Sequence, residues 1–258
     1  MLDRFCFNTF NTKVDKMAGL QGLSKEVFKT AFDKVTLQGL SDEWEIKLLT
    51  HDMQDAAILF MKENFVPHEP LIQIFGVQWN EGAEQYWKAV FEQRVTLVLT
   101  SKVSGEIIAI RGIEIVSKTD RISTEKISDE RLRNLLEYLN YCDDHAKFFE
   151  YYRTDEAIHF SGLAVAKSYR RRGIATLLLT CAVEMVENLG LEYVYIKGEA
   201  SSDYSKKIYE KLDFETLYEQ IYEEYDITGK QIKNKIGEHK SNKVYGKCIK
   251  RFKCADGI

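Results

Sequence analysis

Two short stretches of this chain hold residues whose types and spacing can do chemistry. The first is Arg170-Arg171-Arg172-Gly173-Ile174-Ala175. It stands directly before a run in which Ile174, Leu178, Cys181, Met185 and Leu189 fall on one apolar stripe, the spacing of a helix. The first turn of a helix has backbone N–H groups without intrahelical partners. Those groups and the positive end of the helix dipole attract an anion. Gly173 lets the backbone approach a ligand closely, and the arginines add charge that a helix end does not itself need. A solvated basic turn in front of an ordinary helix is the plainer alternative. No Gly-Lys-Ser/Thr follows, so the loop is not a Walker phosphate loop.

The second stretch is Pro67-His68-Glu69-Pro70, bracketed by the only two prolines in the chain. Proline fixes its own φ and restrains the residue before it. This predicts a rigid loop that holds one carboxylate in place, which suits a proton acceptor. A stiff surface connector is the alternative for Glu69, and His68 is either a competing base or simply exposed. Downstream, Ser201, Ser205 and Tyr209 lie on or beside a predicted helix. Serines there also serve as caps, and a tyrosine there also serves as core.

The elements that must position these groups follow from periodicity and turn residues. A short helix fits 25–35, with Ser24 as its cap. Residues 43–50 read as a strand, and a helix opens at Asp52 and stops at Pro67. A second helix fits 81–93. Val95, Leu97 and Leu99 lead through a Ser104-Gly105 turn into 106–116, an antiparallel hairpin. A long polar helix fits 128–150, capped by Ser128. From 157 the chain reads as strand (157–166), helix (173–189, closed by Gly190), strand (192–198), helix (202–212) and strand (214–225). A long loop over 226–243 and a last strand over 244–252 complete it. The expected architecture is an α/β fold, a mixed sheet with helices on its faces. Residues 1–40 read as an N-terminal extension and 41–258 as the main domain.

Composition excludes several functions. A net charge of −4 speaks against nucleic acid as a partner. Cys6, Cys142, Cys181, Cys248 and Cys254 are odd in number and lack Cys-x-x-Cys spacing, so neither a disulfide framework nor a metal site is expected. No apolar run has the length of a membrane span or a signal peptide, and the reading is a cytoplasmic protein.

Arg170, Gly173 and Ala175 match the Gln/Arg-x-x-Gly-x-Gly/Ala signature of the GNAT (GCN5-related N-acetyltransferase) superfamily. Leu163-Ala164-Val165 resembles that family's fourth strand, and Tyr209-Glu210-Lys211-Leu212-Asp213-Phe214 resembles its Tyr-x-x-x-Gly-Phe stretch, with Asp213 in place of glycine. Asp tolerates the left-handed conformation better than most residues. The resemblance implies a central, twisted, mostly antiparallel sheet of about seven strands with helices on both faces. It implies acetyl-CoA as co-substrate, held by Leu163, Ala164, Val165, Arg170, Arg171, Arg172, Gly173, Ile174 and Ala175.

Within the superfamily, Glu69-Pro70-Leu71 and Ser201-Ser202-Asp203-Tyr204-Ser205 are similar to stretches of insect arylalkylamine (dopamine-type) N-acetyltransferases. That likeness implies Glu69 as catalytic base, Ser201 and Ser205 in supporting roles, and Tyr209 or a serine assisting thiolate departure. The implied reaction is direct attack by a small-molecule primary amine such as dopamine, tyramine or serotonin. Phe65, Trp79, Tyr86 and Trp87 are candidates for an aryl pocket or for core. A protein amino group or polyamine as acceptor, or a non-catalytic acyl-CoA-binding regulator, stays open. The two-histidine arrangement of vertebrate serotonin acetyltransferases is absent, since Ser161 stands where a partner of His159 would be.

Overall fold

Apolar alternation delivers the strands β1 (Trp44–Leu48), β2 (Leu97–Ser101), β3 (Ile107–Ser117), β4 (Glu156–Val165), β5 (Tyr193–Ala200) and β6 (Glu215–Ile221). A small ribbon, β7 (Asp226–Ile227) with β8 (Lys230–Gln231), precedes β9 (Ser241–Lys250). The computed structural model describes residues 19–121, 123–125, 127–227, 230–231 and 237–250. The main sheet runs β1-β2-β3-β4-β5-β9-β6, antiparallel except for the β4–β5 pair. The helices are α1 (Lys25–Phe32), α2 (Gln54–Asn64), α3 (Pro70–Phe75), α4 (Glu81–Glu92), α5 (Glu130–Ala146), α6 (Phe148–Tyr152), α7 (Ile174–Glu187) and α8 (Asp203–Lys211).

The helices bury three apolar clusters against the sheet. Ile174, Leu178, Cys181 and Met185 of α7 meet Leu97, Ile113, Ile158 and Ile196 on one face, and Leu20, Phe28 and Ala31 join the same cluster. On the other face α2 and α4 pack Phe60, Met61, Trp87 and Phe91 over Val98 and Ile110. α3 and α5 form the third cluster with Tyr222 and Val244.

Several expected boundaries moved. The 128–150 helix is two helices, because Lys147 adopts φ +47° between them. Its cap is Asp129, whose carboxylate accepts from the amides of Arg131 and Leu132, a shorter reach than Ser128 offers. The strand expected over 214–225 ends at Ile221 in a short 3-10 turn, and the last strand starts at Ser241. Ser24 sits at the cap position of α1 without a side-chain bond. Asp213 does take the left-handed conformation, at φ +55°. Parts of the 226–243 loop, the chain before Gly19 and the end of the 244–252 strand lie outside the described residues.

Candidate active site

One departure from regular pairing creates the site. β4 and β5 pair in parallel only at Ile158–Ile196, His159–Lys197 and Phe160–Gly198, after which the two strands part. β4 nevertheless runs on to Val165, paired with β3 on its other side. The register between β3 and β4 slips by one residue there, and Ser161 bulges between the Gly112–Gly162 and Ile113–Phe160 pairs. Gly112 is required, since a Cβ on it would lie 2.9 Å from the Trp87 ring and 2.9 Å from Ser161 Oγ. Leu163, Ala164 and Val165 therefore present a strand edge with no β5 partner, facing a cleft. The crossover α7 starts at that end, where an open sheet offers its ligand crevice.

Gly173 introduces α7 at φ +77°, and no atom lies within 4 Å of where a Cβ would stand. The first turn of α7 has no side-chain cap, and Ile174, Ala175 and Thr176 line the cavity wall. The three arginines part company. Arg171, at φ +61°, is exposed and lines the cavity. Arg172 lays its guanidinium over the Tyr169 ring at 5.3 Å and stays off the cavity wall. Arg170 turns inward: its Nε donates to the Val165 carbonyl at 3.0 Å and its Nη2 to the Asn64 carbonyl at 3.5 Å, tying β4 to α2.

The cavity encloses about 1850 Å³. That exceeds the roughly 300–1000 Å³ of a pocket for one small ligand, so it has room for two molecules side by side. Glu69 stands at its wall, half-buried. The segment read as a rigid loop is in fact a 3-10 turn over Val66–His68 followed by a helix start. Glu69 is the N-cap of α3, Pro70 fills the first helical position, and Glu69 Oε2 accepts from the Ile72 amide at 2.6 Å. Burial pushes the Glu69 carboxyl up to about 7, and the charge of Glu199 adds to the rise. Hydrogen bonds from the Ser201 hydroxyl and the Ile72 amide oppose it. His68 beside it is exposed.

The cavity floor carries charges that the sequence reading did not single out. Glu114 on β3 accepts from the Tyr86 hydroxyl at 3.1 Å, and its Oε1 lies 3.0 Å from His159 Nδ1. Despite burial, these partners hold the Glu114 carboxyl below its usual range. On β5, Lys197 lies 2.6 Å from the Asp143 carboxylate and 3.8 Å from Glu199. Burial, then Asp143, push the Glu199 carboxyl up, with Lys197 opposing. His159 Nε2, Ser161 Oγ and both side-chain atoms of Asn242 are buried with no hydrogen-bond partner among the described residues. A signal existed: Arg111, Glu114, Lys197 and Glu199 are charges inside runs that otherwise read as apolar strand. Of the aromatic candidates, Phe65, Tyr86 and Trp87 line the cavity, whereas Trp79 packs in the α2–α4 cluster.

Tyr209 is buried between Tyr245, stacked at 4.9 Å, and Phe214, edge-on at 4.9 Å. Tyr209 is among the residues lining the cavity, and its hydroxyl accepts from Arg111 Nη2 at 2.6 Å. Ser202, not Ser201, caps α8, and Ser205 returns the bond in a capping box: Ser202 Oγ accepts from the Ser205 amide at 3.1 Å. Ser205 Oγ also donates to the Ser202 carbonyl at 2.9 Å. Ser201 is left free of the cap and lines the cavity, where its hydroxyl lowers the Glu69 carboxyl and opposes the effect of burial. Burial pushes the Cys181 thiol up to about 11 and the Cys142 thiol up to about 12, so neither is a ready nucleophile.

A single parallel junction that splays beside a glycine-led helix is the architecture of the GNAT fold, and residues 112–230 match the acetyltransferase (GNAT) domain. Arylalkylamine N-acetyltransferase 2 from Aedes aegypti superposes with a TM-score of 0.74, covering 81% of this chain and 100% of that one at 21% identity. The Drosophila melanogaster polyamine N-acetyltransferase superposes with a TM-score of 0.69, covering 79% of this chain and 98% of that one at 15% identity. N-alpha-acetyltransferase 30 of Schizosaccharomyces pombe is 32% identical over 63 residues, 24% of this chain, and the match spans 41% of that relative's length. No helix among the described residues is long and apolar enough to cross a membrane.

Proposed function

We propose that this chain is an acetyl-CoA-dependent N-acetyltransferase that transfers acetyl to the primary amine of a small arylalkylamine such as dopamine, tyramine or serotonin, by direct attack in a ternary complex. The observation that carries the reading is Glu69: a carboxyl that burial pushes up to about 7, at the wall of the cavity that also receives the open N-terminus of α7. An alkylammonium of pKa about 10 is no nucleophile until it loses a proton, and a base poised near the working pH is the efficient acceptor.

The residues present fit the co-substrate. The amides of Gly173, Ile174 and Ala175 and the Arg171 side chain would hold its diphosphate, and the unpaired edge of Leu163, Ala164 and Val165 would pair with its pantetheine arm. When bound it supplies an acyl group activated as a thioester. Glu69, its ionised form favoured by Ser201, takes the proton from the acceptor ammonium. Tyr209 donates a proton to the departing sulfur. Ser205 acts at one remove, by fixing the start of α8 and with it Ser201. Arg170 and Arg172 support the loop's shape instead of touching the diphosphate. Phe65, Tyr86 and Trp87 offer an aryl-binding wall.

A polyamine acceptor is the second reading, favoured by the carboxylates of Glu114, Glu199 and Asp143 around one cavity. A radioacetyl transfer screen with purified protein separates the two. Turnover of dopamine, tyramine or serotonin supports the first. Turnover of polyamines or N-terminal peptides, with arylalkylamines inert, overturns it.

A further inference from the structure

Arg111 carries a permanent charge on the central strand β3, yet it is only 2% exposed. A charge so far out of water costs several kcal/mol unless it is paired, ordinarily with a carboxylate. Among the described residues none stands there. The hydrogen-bond partner of Arg111 is the Tyr209 hydroxyl, and its Nε has none. The Phe160 ring lies 4.8 Å from its Cζ and offsets part of the cost. The guanidinium therefore sits opposite a group that is neutral at rest.

The geometry of Tyr209 makes this arrangement directional. A guanidinium has donors only, so the Tyr209 oxygen accepts from it and keeps its own hydrogen for another acceptor. The ring cannot swing: Tyr245 and Phe214 hold it, and a Cβ on Gly198 would lie 2.5 Å from the hydroxyl. Gly198 is also the last residue of β5 paired with β4, so the hydroxyl stands where the cleft opens. Both Arg111 and Tyr209 line that cavity.

We infer that Arg111 is a positioning residue for Tyr209: it points the phenol hydrogen into the cleft and is the counter-ion of the phenolate that forms when Tyr209 protonates the leaving thiolate. The inference rests on the proposed role of Tyr209 as proton donor. The acceptor nitrogen forms the C–N bond at the thioester carbon, the C–S bond breaks, and its electron pair goes to sulfur. Tyr209 passes its proton to that sulfur, giving the thiol. The negative charge left on the phenol oxygen faces the Arg111 guanidinium. Of the two protons that the substrate ammonium gives up, one restores Tyr209 and the other leaves through Glu69 to water. The carboxylate missing beside Arg111 is thus replaced by a charge that exists only during turnover.

A double-mutant cycle on kcat tests this. Tyr209→Phe is expected to lower kcat about 100-fold, within the range for loss of a general acid. Arg111→Met is expected to lower it about tenfold in the wild-type background and less than twofold in Tyr209→Phe, because two residues acting as a unit are not additive. Arg111→Lys keeps a donor and a charge and is expected to stay within about threefold of wild type. KM for acetyl-CoA and the calorimetric affinity for coenzyme A stay unchanged in each variant, which a merely structural role for Arg111 would not allow. Equal losses in both backgrounds, or coenzyme A binding lost in step with kcat, overturn the inference. Should Arg111→Met not fold, Lys and Gln variants decide: an active Lys and a slow Gln support it, and both slow or both active overturn it. A fully active Tyr209→Phe removes the proton-donor reading itself. A slow Tyr209→Phe beside a fully active Arg111→Met overturns only the role of Arg111.

Discussion

Glu69→Gln is the substitution from which the structure predicts most. Gln keeps an oxygen to accept from the Ile72 amide, so α3 retains its cap, and Gln imitates the protonated carboxyl without the ability to take up a proton. Raising a carboxyl from 4.5 to about 7 amounts to about 2–3 kcal/mol after allowance for partial exposure, at about 1.4 kcal/mol per tenfold change in proton affinity. The folded chain binds this proton more tightly than the unfolded chain does. The stability it confers is therefore complete below pH 4.5 and is lost as the pH rises through about 7. Glu69→Gln escapes that loss. Near pH 4.5 its melting temperature should match wild type, and by pH 8 it should lie roughly 4–10 °C above it. Activity should move the opposite way. Wild-type kcat/KM should rise with pH along a limb centred near 7, whereas Glu69→Gln should lose at least about 100-fold at pH 8 and lack that limb. Differential scanning calorimetry and initial rates over the same pH series check both. A melting difference that stays constant with pH, or a variant that keeps the limb, refutes the reasoning about Glu69.

Ser201→Ala removes a hydrogen bond that favours ionised Glu69, so the acid limb of kcat/KM should move upward by up to about one pH unit; an unmoved limb denies the contact. Arg171→Ala should raise KM for acetyl-CoA about three- to tenfold at constant kcat, whereas Arg170→Ala should leave KM nearly unchanged and lower the melting temperature by untying β4 from α2. Gly198→Ala should cost about 1–3 kcal/mol of stability by pressing on the Tyr209 hydroxyl, and a variant with normal melting and normal kcat would mean that this hydroxyl has slack.

What was legible in the sequence was local. The stripe of α7 is set by spacings of three and four residues, and φ +77° at Gly173 is a conformation that glycine adopts without steric cost. The Ser104-Gly105 turn fixed the β2–β3 hairpin, and Asp213 could take the left-handed turn because its short polar side chain tolerates it. Glu69 was conspicuous because two prolines flank it. The sequence did not carry its proton affinity, which comes from burial, from Ser201 and from Glu199 on a strand 130 residues away. Nor could spacing separate three adjacent arginines: Arg171 stays exposed, Arg172 lies over the nearby Tyr169 ring, and Arg170 bonds to the carbonyls of Val165 and of the distant Asn64. The cleft itself exists because β4 stays with β3 after β5 has turned away at Gly198. Periodicity specifies which face of a strand is buried. Which neighbour a strand abandons, and which charges then share one cavity, is decided only when distant segments compete for the same space.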